Sequence, residues 1–398
     1  MASVISIQEP GRPKAGKPQW SAFLSLGFRP FYPAGALWAA VAAALWVFAP
    51  HWLNGPLGGM YWHGHEMLWG TVGTIAVGFL LTAAATWTGH NPLQGGPLAA
   101  LLALWIIARV GYLLGGMPGV LVAGLAETAF FLFSATALMR VMVRGNSRRN
   151  LGIPFLVAGL GLSHALFVWA VLDGDYPRLM HYFSLGLFCM AMIALLVARR
   201  VIPFFAMRAV PKLQIPMLTR LGQAQLVLAL LAVLMLIADW AVAAALLLLA
   251  VGLVSLYQAL RWNPWAVRSR PILWVLYLGY TFLGLGLIAA AAQLAGVGGP
   301  VLARLATPVH IIGMGGFGLL IIGMITRTAL GHMGRPLALD TSMVISYWLI
   351  LAATALRLAA LLPSSASLHL LHTATSLWVL AFALYLWRFV PMLIRPKP

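Results

Sequence analysis

Long apolar segments recur along the chain, and short clusters of Gly, Pro, Asn and charged residues separate them. A segment of about 20 residues is long enough, at about 1.5 Å per helical residue, to cross a hydrocarbon core of about 30 Å. The punctuation predicts twelve spans, at residues 32–52, 62–86, 96–116, 118–143, 151–172, 178–199, 218–238, 240–261, 271–295, 301–326, 341–362 and 366–389.

The apolar segments do not alternate between apolar and polar positions. Residues 226–237 and 241–253, for example, are apolar on every side, which argues against a transmembrane barrel. Helices satisfy their own backbone hydrogen bonds in lipid. We therefore predict an all-α integral membrane protein that consists of a bundle of 12 transmembrane helices.

Composition and charge support this class and give an orientation. The 398 residues are 62% hydrophobic and 8% charged, whereas soluble domains have about 25% charged residues. The net charge of +18 comes from basic residues that lie between the apolar segments, so it indicates orientation in a lipid bilayer and no binding of nucleic acid. One side of the bundle has nearly all of these residues and the other only Arg178 and Arg304, which predicts that both termini are cytoplasmic.

Every predicted cytoplasmic loop is short except the one at about residues 202–219, and no internal repeat is recognisable, so we expect one membrane domain. Residues 1–27 are polar and basic and predict a cytoplasmic N-terminal tail, and residues 28–398 predict a single 12-helix membrane domain. Cys189 is the only cysteine, so the chain offers no disulfide and no thiolate cluster for a metal. Any soft metal ligand must be histidine.

Most of the ten histidines fall on the predicted outer side of the bundle, and six of them from five helices occupy one slab of the membrane. These six are His63, His65, His164, His181, His310 and His372. Ionisable residues at membrane depth usually face an interior site, and neutral imidazole is the commonest metal ligand. We select His63, His65, His181, His310, His369 and His372 as candidate metal ligands.

Helical spacing refines this set. His63 and His65 are about 200° apart on a regular helix, so we expect them to face different partners. His369 and His372 are three residues apart and lie on one helical face, which permits a chelating pair.

Two acids and two arginines lie within the predicted spans. Glu66 and Glu127 are in the outer half, where they are candidates for catalytic proton transfer or for orienting a ligand. Arg109 and Arg357 need anionic partners, which are either the carboxylates of a bound cofactor or Glu66 and Glu127 themselves.

Several sequence motifs resemble the NnrS family, bacterial inner-membrane proteins associated with nitric oxide and denitrification. The motifs extend from about residue 28 to residue 340. They are Phe28-Arg29-Pro30-Phe31, Trp62-His63-Gly64-His65-Glu66-Met67, Gly78-Phe79-Leu80-Leu81-Thr82, Thr86-Trp87-Thr88-Gly89, Arg200-Val201-Ile202-Pro203-Phe204-Phe205, His310 with the glycines after it, Met324-Ile325-Thr326-Arg327, Leu330-Gly331-His332 and Gly334-Arg335-Pro336-Leu337. Thr86 departs from the family pattern, which has asparagine there.

The resemblance implies haem b, copper or another second metal, and a role in relieving nitrosative stress. On this basis we expect a protein that binds and reduces nitric oxide with electrons from an unidentified donor. His63, His65, His181, His310 and His372 are then the candidate cofactor ligands, and Arg109 and Arg357 are candidate partners of the haem propionates. Two alternatives remain: a transporter of a metal or haem-related compound, which twelve spans with glycine-broken helices also fit, and a haem-based sensor or scavenger.

Overall fold

The computed structural model describes residues 16–53 and 55–397, which form helices joined by short loops and no strand. Residues 1–15 of the predicted tail, including Arg12 and Lys14, lie outside the described residues.

Twelve helices in the described part of the chain are long and apolar enough to cross a membrane, which confirms the predicted number and class. We number them as spans one to twelve. They are Phe28–Phe48, Gly59–Thr88, Gly96–Leu114, Gly116–Arg144, Arg148–Asp173, Tyr176–Ala209, Thr219–Ile237, Ala241–Arg261, Pro271–Leu294, Ala306–His332, Thr341–Ala359 and Ser367–Leu393.

Most boundaries agree with the predicted ranges, but two spans differ. Span six continues as helix to Ala209, ten residues past its predicted end, because the basic residues Arg199 and Arg200 prolong the helix and do not end it. Span ten begins at Ala306 and not at residue 301, since a separate short helix, Gly299–Leu302, precedes it.

Local sequence accounts for several of the helix ends. Gly89 and Gly174 take left-handed conformations, with φ of 71° and 73°, directly after spans two and five. Asp175 and Asp340 cap the N-termini of spans six and eleven by accepting hydrogen bonds from the backbone N–H groups of Arg178 and Met343.

Successive spans alternate in direction, so the loops lie on two sides of the bundle. We call the side that holds residues 49–53 and 55–58, between spans one and two, the first-loop side. The opposite side is the termini side. Spans two and six are the most enclosed, with 83% and 78% of their apolar cores buried against 28% for span seven. Side chains on spans two and six therefore face protein more than lipid.

Spans two and ten share an unusual local structure. Each changes from α-helix to π-helix directly after a histidine: Glu66–Gly73 follows His65, and Ile311–Gly318 follows His310. The two π-helical segments contact each other inside the bundle. Such segments are rare and often occur at functional sites, because the wider turn redirects the side chains around them.

Candidate metal and cofactor site

Span two divides its two neighbouring histidines between two separate groups of residues. His65 and Glu66 are fully buried on one side of the helix, and His63 faces a cavity on the other side. The angular separation of His63 and His65 predicts this arrangement. We call the first group, which comprises His65, Glu66, Arg109, Glu127 and His164, the acidic cluster.

Three ligand atoms meet at one point in the acidic cluster. His65 Nε2 lies 3.3 Å from Glu127 Oε2, His164 Nε2 lies 3.2 Å from the same oxygen, and the two Nε2 atoms are 3.1 Å apart. Ligand atoms around an ion at bond lengths of about 2.0–2.2 Å are separated by distances of this size. The three residues form the one group of this kind found among the described residues.

The outer nitrogens of both imidazoles are fixed by other side chains. His65 Nδ1–H donates to Glu66 Oε1 at 3.0 Å, and His164 Nδ1 lies 3.1 Å from the hydroxyl of Thr128. The Tyr112 hydroxyl lies 3.1 Å from the inner nitrogen, His164 Nε2, which also faces Glu127. Metal-binding histidines usually have such outer partners, which fix the ring and its tautomer and leave the other nitrogen for the ion.

Arg109 balances part of the negative charge. Its guanidinium pairs with both Glu66 and Glu127, and Trp38 Nε1–H also donates to Glu66. The sequence left two kinds of partner open for Arg109, the carboxylates of a bound cofactor or those of Glu66 and Glu127. In the structure Arg109 pairs with Glu66 and Glu127.

With both acids ionised and both imidazoles neutral, the acidic cluster has one net negative charge in a fully buried place. Among the described residues, neither oxygen of Glu127 accepts a well-aligned hydrogen bond, although Oε2 is at ion-pair distance from three side chains. Buried charges are normally paired or coordinate a metal. A cation between His65, Glu127 and His164 would supply the missing charge.

The second group surrounds the cavity on the other side of span two, which we call the His63 cavity. It contains about 890 Å³ of empty space, including the part that opens to the surroundings. The walls are mainly aromatic and aliphatic, and the two π-helical segments contribute Met67, Leu68, Thr71, Val72, Gly313, Met314 and Phe317.

Two imidazoles face each other across the His63 cavity. The ring centroids of His63 and His310 are 6.4 Å apart and their planes differ by 20°. His310 Nδ1–H donates to the carbonyl oxygen of Ala306 at 2.6 Å, which leaves Nε2 as a ligand. His63 Nδ1 is buried and has no hydrogen-bond partner among the described residues. Both rings therefore keep a nitrogen available to a bound group.

One cationic side chain, Arg357 of span eleven, lines the same cavity. Among residues 16–53 and 55–397, no carboxylate lies at ion-pair distance from it. Gly313 faces open space, since a Cβ there would have no neighbour within 4 Å. The cavity thus combines an apolar interior, two imidazoles and an unpaired cation.

The other predicted ligands lie outside both groups. His181 stacks edge-on against Tyr182 near the start of span six, and His372 packs against Phe48 at a ring distance of 5.4 Å. His369 is exposed one turn before His372. The structure therefore brings His63 together with His310. It also brings His65 together with Glu66, Glu127 and Arg109. The histidines at positions 181, 369 and 372 join neither group.

His164 is the main residue that the choice of ligands omitted. The signal was present, because His164 lies deep in span five and belongs to the same slab of histidines as His310. Its partners Thr128 and Tyr112 carry no comparable signal, since isolated hydroxyl groups are common in membrane helices.

The fold and these two groups define a class: a multi-pass helical membrane protein with a buried histidine and carboxylate group suited to a metal ion. A family model described as NnrS protein matches residues 22–397, nearly the whole chain, and the chain belongs to the NnrS family. This confirms the resemblance of the sequence motifs. No curated protein matches the chain.

Proposed function

We propose that this NnrS-family protein is a haem-containing protein of nitric oxide metabolism, which binds and reduces nitric oxide in the bacterial inner membrane. The observation that carries the proposal is the pair of imidazoles, His63 and His310, that faces one apolar cavity beside the acidic cluster. The asymmetry of basic residues supports cytoplasmic termini, which would place both groups toward the periplasmic side.

The residues of the His63 cavity fit haem b. Each of the cavity's two imidazoles keeps a nitrogen that would ligate iron, since His310 Nδ1 alone is engaged by a backbone carbonyl and His63 Nδ1 has no partner among the described residues. The flat, largely apolar macrocycle suits walls such as Trp46, Phe317 and Trp378, and the unpaired Arg357 suits a propionate. One of the two imidazoles, that of His63 or that of His310, would hold the haem through its iron so that the iron can also bind nitric oxide, and Arg357 would orient it.

The acidic cluster fits a second metal ion, for which copper is the candidate. Imidazole nitrogens with a carboxylate oxygen suit copper and zinc alike, so the donor set agrees with copper but does not select it. His65, His164 and Glu127 would be the ligands. Glu66 and Thr128 would fix the two rings, and Arg109 would hold both carboxylates in place.

Reduction of two nitric oxide molecules to nitrous oxide and water consumes two electrons and two protons. A bound haem supplies an iron that binds nitric oxide and accepts electrons one at a time. An external one-electron donor must provide the electrons. For the protons we propose Glu66 and Glu127 of the acidic cluster, which Arg109 holds in place.

Anaerobic consumption of nitric oxide by the purified protein tests this function. With a chemical one-electron donor, we expect wild-type protein to consume nitric oxide and form nitrous oxide. The matched control is His369→Ala, which removes an exposed histidine outside both groups and should keep full activity. Protein that contains its haem but gives no nitrous oxide would reject the reductase function.

Transport of a haem-related compound is the second candidate, because the His63 cavity has apolar walls and a cation that suit an anionic flat molecule. Uptake of haem into proteoliposomes discriminates between the two. Haem that accumulates inside the vesicles without nitric oxide turnover would favour transport, and haem that stays bound to the protein would favour the enzyme.

A further inference from the structure

A second cavity lies next to the His63 cavity. It contains about 660 Å³ of empty space, including the part that opens to the surroundings, between spans two, six, nine and ten, with Tyr32 of span one at its edge. We call it the inner chamber. Its walls include Ile75, Phe79, Ile193, Val197, Leu320 and Met324, and among the described residues that line it none carries a charge.

The inner chamber and the His63 cavity share two wall residues, Val72 and Phe317. Val72 belongs to the π-helical segment of span two, and Phe317 to that of span ten. Since the same two side chains line both spaces, they form the partition between them. A molecule that passes from one space to the other must pass these two residues.

The chemistry of the walls selects what the inner chamber can hold. Apolar cavities do not hold water well, but they bind xenon and small hydrocarbons. An ion or a polar molecule would lose its hydration here with no compensating hydrogen bond, which costs several kcal/mol. A small uncharged molecule that dissolves in lipid has no such penalty.

We propose that the inner chamber collects small uncharged gas molecules from the bilayer and delivers them past Val72 and Phe317 to the His63 cavity. This inference rests on the proposed function, since it gives the substrate of that site its route. It further assigns Val72 and Phe317 the role of a gate, in which side-chain bulk sets the rate of arrival.

The first test requires no haem. Structures of the wild-type protein under xenon pressure should contain xenon in the inner chamber, and Ala194→Phe, which fills the chamber from span six, should remove it. Absence of xenon from the wild-type chamber would overturn the proposal. Continuous density of a lipid acyl chain in the chamber would overturn it as well.

The second test measures how fast carbon monoxide reaches the reduced, haem-loaded protein after flash photolysis. Val72→Phe should slow bimolecular association by about tenfold, which corresponds to an added barrier of about 1.4 kcal/mol. Phe317→Ala should accelerate it. The matched controls are Val242→Phe in span eight and Phe155→Ala in span five, which change exposed, outward-facing side chains and should leave the rate unchanged.

The outcomes separate this proposal from the function on which it rests. If the protein binds no haem, the proposed function fails, and the xenon experiment still decides whether the inner chamber takes an apolar gas. If haem binds and carbon monoxide association is the same in Val72→Phe, Phe317→Ala and wild type, the route is wrong. Should Val72→Phe fail to accumulate, Phe317→Ala tests the gate by itself.

Discussion

Individual residues separate the two groups of the site, and the division begins at His63 and His65. They are two positions apart, yet one faces the His63 cavity and the other the acidic cluster. Helical geometry predicts this separation from sequence alone, because two residues correspond to about 200° of rotation. The identity of the partners across the bundle depends instead on helix packing.

Thr128 gives a residue-level test of the acidic cluster. Thr128→Val keeps the shape of the side chain but removes the hydroxyl next to His164 Nδ1. Loss of such an outer partner typically lowers metal affinity by about 10- to 100-fold. We expect this decrease in a copper titration against a competing chelator.

Thr136→Val is the matched control for Thr128→Val. Thr136 lies on the same span, is exposed, and donates its hydroxyl only to the carbonyl oxygen of Phe133. Its removal should leave copper affinity unchanged. Equal affinities in both variants and the wild type would argue that the acidic cluster holds no metal.

The sequence predicted part of this site for clear physical reasons. Glu66, Glu127 and Arg109 are identifiable because charge within an apolar span is costly and needs a partner. Predicted depth in the membrane also selected three histidines that lie outside both groups, namely His181, His369 and His372. Depth gives a position along the membrane normal, whereas convergence also depends on which helices are neighbours and how each is rotated.

At the scale of the helices, the two π-helical segments shape the site. They supply part of the wall of the His63 cavity and the two residues that this cavity shares with the inner chamber. The glycines after His310 do not by themselves predict the π-helix of span ten. A π-helix has no distinct hydrophobic period over eight residues, so the pattern of apolar positions does not reveal it.

Two glycines in these segments provide a matched pair of substitutions. A Cβ at Gly70 would collide with the Arg109 guanidinium and the Glu66 carboxylate, whereas a Cβ at Gly313 would meet nothing. Overpacking of this kind costs about 1–3 kcal/mol. Gly70→Ala should lower the thermal midpoint of the detergent-purified protein, and Gly313→Ala should not. Equal midpoints would mean that the packing around Arg109 is looser than described.

Asp340 links two helices on the termini side and predicts a dependence of stability on pH. It accepts hydrogen bonds from Met343 N–H at 3.2 Å and from the Ser342 hydroxyl at 2.5 Å, and it pairs with Arg388 of span twelve. Burial opposes its ionisation, but these hydrogen bonds and the charge of Arg388 outweigh burial and hold the pKa of Asp340 below its usual value.

Because the folded-state pKa is depressed, the stabilisation is complete above the ordinary aspartate pKa of about 3.9 and is lost as the pH falls through the lower folded value. Asp340→Ala should cost about 1 kcal/mol at neutral pH through loss of the helix cap. Asp340→Asn keeps a cap and should cost less. Thermal unfolding curves recorded between pH 7 and the acid range test this. The thermal midpoint of the wild type should fall more steeply with decreasing pH than that of Asp340→Asn, and an equal or smaller decrease would contradict the prediction.

At the scale of the whole molecule, the sequence predicted the architecture best. Twelve spans follow from the lengths of the apolar segments, because the bilayer sets how long each helix must be. Helix ends were less predictable where a helix continues with charged residues, as Arg199 and Arg200 do in span six. The order of the helices around spans two and ten has no signature in a single sequence, so the two cavities could not be predicted.

The central claim is that the His63 cavity holds a haem through one of its two histidines, and the ratio of haem to protein measures it most directly. Pyridine haemochrome spectra of purified wild type, His63→Ala, His310→Ala and His369→Ala give this ratio for each variant. We predict the same ratio in wild type and His369→Ala, and loss of haem in at least one of His63→Ala and His310→Ala. Full haem content in both of the latter variants would contradict the account.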